Sequence, residues 1–190
     1  MNYKTLPKGY QYAGTLDFMR NRDQIRSVLK LAAMLIATPL IIGVAVTIMR
    51  PSILRFLRNW KIWLWIALML VAYIPLHELV HGAVMFALTG VKPNFGIKLP
   101  YAWAGSTAWF DRKSHVITAL APMLLWGVVL LILIFALPEK WFWPLWIVQI
   151  SNLSGSAGDI YCVQALLKMD GELLIQDTGT RMRIMRYVES

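Results

Sequence analysis

Four sparsely charged apolar stretches dominate this chain: roughly Leu31 to Met49, Ile62 to Leu88, Val116 to Leu137 and Phe142 to Leu167. Each is long enough to cross a hydrocarbon layer about 30 Å thick. A backbone surrounded by lipid has to satisfy its own hydrogen bonds, so such stretches are expected to be helices. With 58% hydrophobic and only 15% charged residues, a soluble core is the wrong frame for the rest. The expected fold is an all-α integral membrane protein with four transmembrane helices and a short membrane-associated hairpin or loop between the second and third. One membrane domain would cover residues 1–190, with short segments at 1–30 and 168–190 outside the bilayer. The first thirty residues are mixed and charged, unlike a secretory leader, so the first span is expected to be a retained anchor. Phe18, Ile25 and Leu29 have roughly helical spacing, which would extend that helix or lay a helix on the surface. The lone Cys162 has no partner for a disulfide and reads as a packed apolar residue.

Basic residues set the orientation. Threaded through four spans, the N-terminal segment, the second loop and the tail share one side and hold fourteen of the 19 lysines and arginines. The opposite side has Arg50, Arg55, Arg58, Lys61 and Lys140. Both termini are therefore expected to be cytoplasmic. The net charge of +9 is explained by this flanking pattern and by anionic lipid headgroups; no nucleic-acid partner is expected.

The second span contains His77-Glu78-Leu79-Val80-His81. On a helix the two histidines project from one face, a turn apart, and Glu78 is beside the first, placed to act on a metal-bound water. Ionisable residues at membrane depth are costly unless they are paired, metal-bound or facing a cavity. Leu79 and Val80 are expected to pack against neighbouring spans, and Gly82 to permit a close helix contact.

Depth nominates a third ligand. His77 is about 23 Å into the second span and Asp159 about 24 Å into the fourth, both measured from the outer side at 1.5 Å per residue. They arrive at one level near the cytoplasmic end, and a catalytic zinc commonly keeps three protein ligands. His115, at the start of the third span, is the rival ligand, with an ordinary interfacial histidine as its default reading. Asp111, beside Arg112 and Lys113, is expected in a solvated loop. Asn152 lies seven residues before Asp159 on nearly the same face, where it would hydrogen-bond substrate or glue helices together.

Between the second and third spans the odd positions Phe95, Ile97, Leu99, Tyr101 and Trp103 are apolar, the period of a strand with one buried face. Ala104-Gly105-Ser106 would turn it back toward Thr107 to Phe110, and Pro100 would restrict it to a sheet edge. Leu99 and Tyr101 are the candidate substrate contacts of such an edge, which would hold an unwound peptide as an added strand. The alternative is a hairpin that anchors the loop at the membrane interface. In the tail, Asp170-Gly171 suggests a turn and Arg181 to Arg186 a basic stretch.

His77-Glu78-Leu79-Val80-His81-Gly82, Ala121-Pro122 and Asn152-Leu153-Ser154-Gly155-Ser156-Ala157-Gly158-Asp159 together resemble the small zincin peptidases of bacteria and, more distantly, intramembrane zinc metalloproteases of the site-2 protease type. The resemblance spans roughly residues 60–170. It implies zinc held by His77, His81 and Asp159, Glu78 as general base, and a place in the bacterial plasma membrane. The chain departs from site-2 proteases in its order Gly158-Asp159, with no proline before it, and in having no stretch long enough for an inserted peptide-binding domain.

The expected function is therefore zinc-dependent hydrolysis of peptide bonds in membrane-embedded or membrane-proximal substrates. The expected partners are a membrane protein or peptide and the lipid bilayer. Two other classes compete: a zinc-binding or ion-transporting membrane protein without peptidase activity, for which Glu78 would be dispensable, and an inactive protease-like scaffold.

Overall fold

A computed structural model describes residues 1–17, 21–98 and 101–188. Phe18, Leu99 and Pro100 lie outside the described residues. In chain order the elements are β1 (Tyr10–Leu16), α1 (Arg22–Met49), α2 (Ser52–Leu57), α3 (Trp60–Thr89), β2 (Asn94–Lys98), β3 (Tyr101–Gly105), β4 (Phe110–Asp111), α4 (Arg112–Ala136), a 3-10 turn (Glu139–Trp141), α5 (Phe142–Gly155), α6 (Ala157–Leu167), β5 (Leu173–Asp177) and β6 (Met182–Tyr187). Among the described residues, α1, α3 and α4 are long and apolar enough to cross a membrane. Ile48, Val71 and Phe135 on these helices are 74%, 70% and 86% exposed, a surface that suits lipid and not water.

Capping residues explain where the helices begin. Asn21 Oδ1 accepts from the backbone N–H groups of Asp23 and Gln24, so α1 starts well before the apolar run. Asn59 Oδ1 accepts from Lys61 N at the start of α3. Asp111 Oδ1 accepts from Ser114 N at 2.7 Å and starts α4. Asp111 is thus a helix cap and not a bare loop residue. It also pairs with the N-terminal ammonium. Burial alone would raise its pKa, but that ammonium and the Ser114 bonds hold it below the ordinary carboxylate value.

The chain divides into two compact units, one of residues 1–28, 78–122 and 158–190, the other of residues 29–77 and 123–157. In the first, four strands form an antiparallel sheet in the order β1-β6-β5-β4. This corrects the all-α expectation. Its pattern is local and simple: Met182 and Ile184 of β6 point inward while Arg183 and Arg186 are exposed. The inward residues join Leu16, Leu173 and Ile175 against Cys162 and Leu166 of α6 in one buried cluster. Between β5 and β6, Gly179 takes φ +83°, a left-handed conformation that glycine tolerates, and its N–H bonds Asp177 Oδ1.

The stretch from Phe95 to Trp103 is a hairpin, not one strand. β2 pairs antiparallel with β3, and Lys98 stands opposite Tyr101, so the chain reverses between those two residues instead of at Ala104-Gly105-Ser106. The buried face is also absent on β2, where Phe95 is half-exposed and Ile97 is 80% exposed.

In the second unit, α1 and α5 approach closely at Gly43. A Cβ there would lie 2.5 Å from Nε1 of Trp146. That indole donates to Pro39 O at 2.9 Å, and Trp143 Nε1 donates to Thr47 Oγ1 at 3.1 Å. Tyr73, Leu130, Leu145 and Val148 make the buried cluster of α3, α4 and α5. Because Trp146 is tied by its hydrogen bond, Gly43→Val is expected to destabilise the protein by about 1–3 kcal/mol through overpacking. Thermal unfolding in detergent, followed by tryptophan fluorescence, measures it; an unchanged midpoint would mean that the indole moves aside at little cost.

The stretch expected as a single fourth span is two helices. α5 ends at Gly155, where Ser156 Oγ and Ser156 N both bond Asn152 O, and α6 starts at Ala157. Ser156 and Asp159 have the spacing of a capping box, but the serine hydroxyl turns back to α5. Asp159 falls in the first turn of α6, where the helix dipole favours a carboxylate.

Candidate metal centre

Helix α3 carries His77, Glu78 and His81, with both imidazoles buried. Hydrogen bonds fix their tautomers. Asn152, fully buried, donates from Nδ2 to Met123 O at 3.0 Å, which turns its Oδ1 toward Tyr73. Tyr73 Oη spends its single proton on that oxygen at 2.7 Å. The contact of 2.6 Å between Tyr73 Oη and His77 Nδ1 must then run from the imidazole N–H to the tyrosine oxygen, leaving the lone pair on Nε2. His81 Nδ1 lies 2.9 Å from Thr118 O, and a carbonyl can only accept, so the neutral ring keeps its lone pair on Nε2 as well. Two histidines oriented by an outer partner on Nδ1 and presenting Nε2 are the arrangement that metal-binding imidazoles need.

His81 Nε2 lies 3.6 Å from Asp159 Oδ2, whose side chain is 27% exposed. That is longer than a hydrogen bond and close to the edge, about 3.3 Å, of a tetrahedron with zinc's ~2.0–2.1 Å bonds to nitrogen and oxygen. One ligand atom from each of His77, His81 and Asp159 lies within 4.8 Å of the others. Two imidazoles and a carboxylate are a donor set that zinc accepts while keeping a position for water or substrate. Glu78 is half-buried on the same turn of α3, next to His77. Leu79 is 51% exposed, so it is not packed against a neighbouring span as its sequence position suggested. Gly82 does permit a close approach, but by Phe95 and Pro93 and not by a helix, since a Cβ there would strike the Phe95 ring.

The other candidates fall as follows. Asn152 spends its amide on Tyr73 and Met123, so its visible role is to hold the chain of bonds behind His77. His115 is fully enclosed at 2% exposure, not interfacial, and it stands outside the group of three that could hold a metal. Tyr101 belongs to β3, and Leu99 lies outside the described residues. Tyr73 and Thr118 were not singled out by sequence reasoning. For Tyr73 a signal exists, a polar-tipped aromatic one turn before His77 in an otherwise apolar helix.

No curated protein and no solved structure matches the chain. A family model does: residues 70–173 match the family described as "Putative zincin peptidase". The matched stretch is more than half of the chain and contains His77, Glu78, His81 and Asp159. This chain belongs to that family.

Proposed function

We propose that this protein is a zinc-dependent intramembrane metallopeptidase related to the site-2 proteases, and that it hydrolyses peptide bonds of membrane-embedded or membrane-proximal substrates. The observation that carries the reading is the fixed tautomer of both histidines, with Asp159 completing three ligand atoms within 4.8 Å. His77, His81 and Asp159 would hold the metal. Zinc bound there would activate water near neutral pH and polarise the scissile carbonyl. Glu78 takes a proton from the attacking water and delivers it to the departing amine nitrogen. Tyr73 and Thr118 keep the two imidazoles in place, and Asn152 keeps Tyr73 in place. A substrate strand along the β2–β3 hairpin, reaching Leu99 and Tyr101, remains part of the proposal.

The sheet pairing supports four crossings of the membrane. β1 precedes α1, β4 stands between α3 and α4, and β6 follows α6, yet all three belong to one sheet. On our reading the chain returns to the same side after α1 and α3, and again after α4, with α5 and α6 together as the fourth passage. That side bears the basic excess, and we assign it to the cytoplasm of a bacterial plasma membrane.

The test is metal analysis of the detergent-purified protein, followed by incubation with a panel of transmembrane peptides before and after chelation. Stoichiometric zinc is expected, with cleavage lost on chelation and restored by added Zn²⁺. Stoichiometric zinc without cleavage of any peptide would favour the metal-binding or ion-transport alternative, and absence of zinc would sink the proposal.

A further inference from the structure

The second unit holds a cavity of about 500 Å³ lined by α1, α4 and α5, a size within the range of small-ligand sites. Ile42, Val46 and Met49 recur at helical spacing and line it from one face of α1, with Leu131 and Ile134 contributed by α4. From Ile42 to Arg50 the cavity follows α1 for about 12 Å at 1.5 Å per residue, so it is a slot running along the helices. Trp146, also in the lining, is held back from filling it. Its indole donates to Pro39 O at 2.9 Å, and its ring stacks on Phe142 with centroids 5.6 Å apart. Met49 and Phe135 at the rim are 83% and 86% exposed, so the slot opens on the surface that suits lipid. Water finds few partners in an apolar cavity, whereas hydrocarbon needs none.

Charge is gathered at one end of the slot. Arg50 and Glu139 line it there; Arg50 Nη1 lies 3.4 Å from Glu139 Oε1, and Ser52 Oγ donates to Glu139 Oε2 at 2.8 Å. Arg50 is exposed, and a guanidinium has five N–H donors, so this one long contact leaves donors for a phosphate. The chain around the mouth is one-sided in charge: residues 50–61 and 137–141 carry Arg50, Arg55, Arg58, Lys61 and Lys140 against the single acid Glu139. On the topology proposed above these are the outer connections, where the rule that places basic residues on the cytoplasmic side does not account for them. Anionic headgroups do.

We propose that this cavity binds one anionic phospholipid, which lays an acyl chain along the slot and sets its phosphate on Arg50. The proposal rests on the membrane placement and not on the peptidase reading. Arginine and phosphate make charge-assisted, often bidentate bonds, and Glu139 is the internal competitor for the same guanidinium.

The test titrates the full chain, delipidated in detergent, with dioleoyl phosphatidylglycerol or with dioleoyl phosphatidylcholine, which has the same tails and no net charge. Native mass spectrometry counts the bound lipid. One phosphatidylglycerol is expected to bind, at least about five-fold more tightly than phosphatidylcholine. Arg50→Gln should lower its affinity about ten-fold. Glu139→Gln breaks the same exposed ion pair but frees the guanidinium, so affinity should rise, by up to about five-fold. Because both variants lose that pair, their opposite effects separate lipid binding from any change in folding. Val46→Phe, which puts a ring into the slot, should weaken both lipids. Equal affinity for the two lipids in the wild type, or an Arg50→Gln variant that binds phosphatidylglycerol as the wild type does, overturns the proposal. A fall in both charge variants overturns it too, since the ion pair itself would then be what matters. If a neutral leucine-alanine transmembrane peptide binds in a Val46-sensitive way and neither lipid does, the slot belongs to a helix instead.

Discussion

The Glu78→Gln variant is expected to retain stoichiometric zinc and to cleave peptides roughly 10²–10⁴-fold more slowly than the wild type, the usual weight of a general base. Glutamine has nearly the shape of glutamate, so the packing of α3 and the neighbouring His77 should not change. What it lacks is a lone pair basic enough to take a proton from water. Glu78 is half-buried, which leaves it accessible to water while the two imidazoles beside it are enclosed. It is also outside the three residues whose ligand atoms cluster. Metal content by mass spectrometry and initial rates on the same preparation decide the matter. Full activity in the variant would place the base elsewhere, and loss of zinc would make Glu78 part of the metal shell. The non-proteolytic alternative makes the opposite forecast, because a zinc carrier has no use for the carboxylate.

How much of this was legible in the sequence follows from how local each determinant is. The α1, α3 and α4 spans announce themselves by apolar runs, since a helix in lipid needs nothing beyond its own residues. α1 and α4 start before their apolar runs because the caps Asn21 and Asp111 precede them, and the helical spacing of Ile25 and Leu29 had offered the extension of α1 as one of two readings. The grouping of His77 with His81 was legible because one helical turn fixes their relation, and that of Asp159 with them because depth along two spans is nearly as simple. The sheet was not, since it joins Tyr10 to Tyr187 and Phe110 to Ile175, pairings that no local pattern specifies. β6 does alternate, yet its arginines read as a basic membrane flank. The break at Ser156 was hidden because Gly155, Ser156 and Gly158 suit a closely packed continuous helix equally well. His115 was misjudged for a related reason: its position at the start of α4 suggested the interface, whereas it is buried, with Phe110 of β4 edge-on to its ring.

Removing a ligand and removing the group behind a ligand should weaken metal binding to different degrees, and the difference tests the centre. His81→Ala deletes one of three donors, so the protein is expected to be purified without stoichiometric zinc, and Asp159→Ala should behave the same way. Tyr73→Phe leaves every donor in place. It removes only the oxygen that accepts from His77 Nδ1 and donates to Asn152 Oδ1. Its ring still fills the cluster with Leu130, Leu145 and Val148. The imidazole then loses its orienting partner, and zinc affinity should fall about 10–100-fold, the range found for partners of metal-bound histidines. Competition with a chromogenic chelator across the four proteins gives the order directly. If Tyr73→Phe binds zinc as tightly as the wild type, the bond to His77 Nδ1 is not what prepares the site. If Asp159→Ala keeps stoichiometric zinc, the third ligand has to be sought elsewhere, and His115 is then the nearest remaining imidazole.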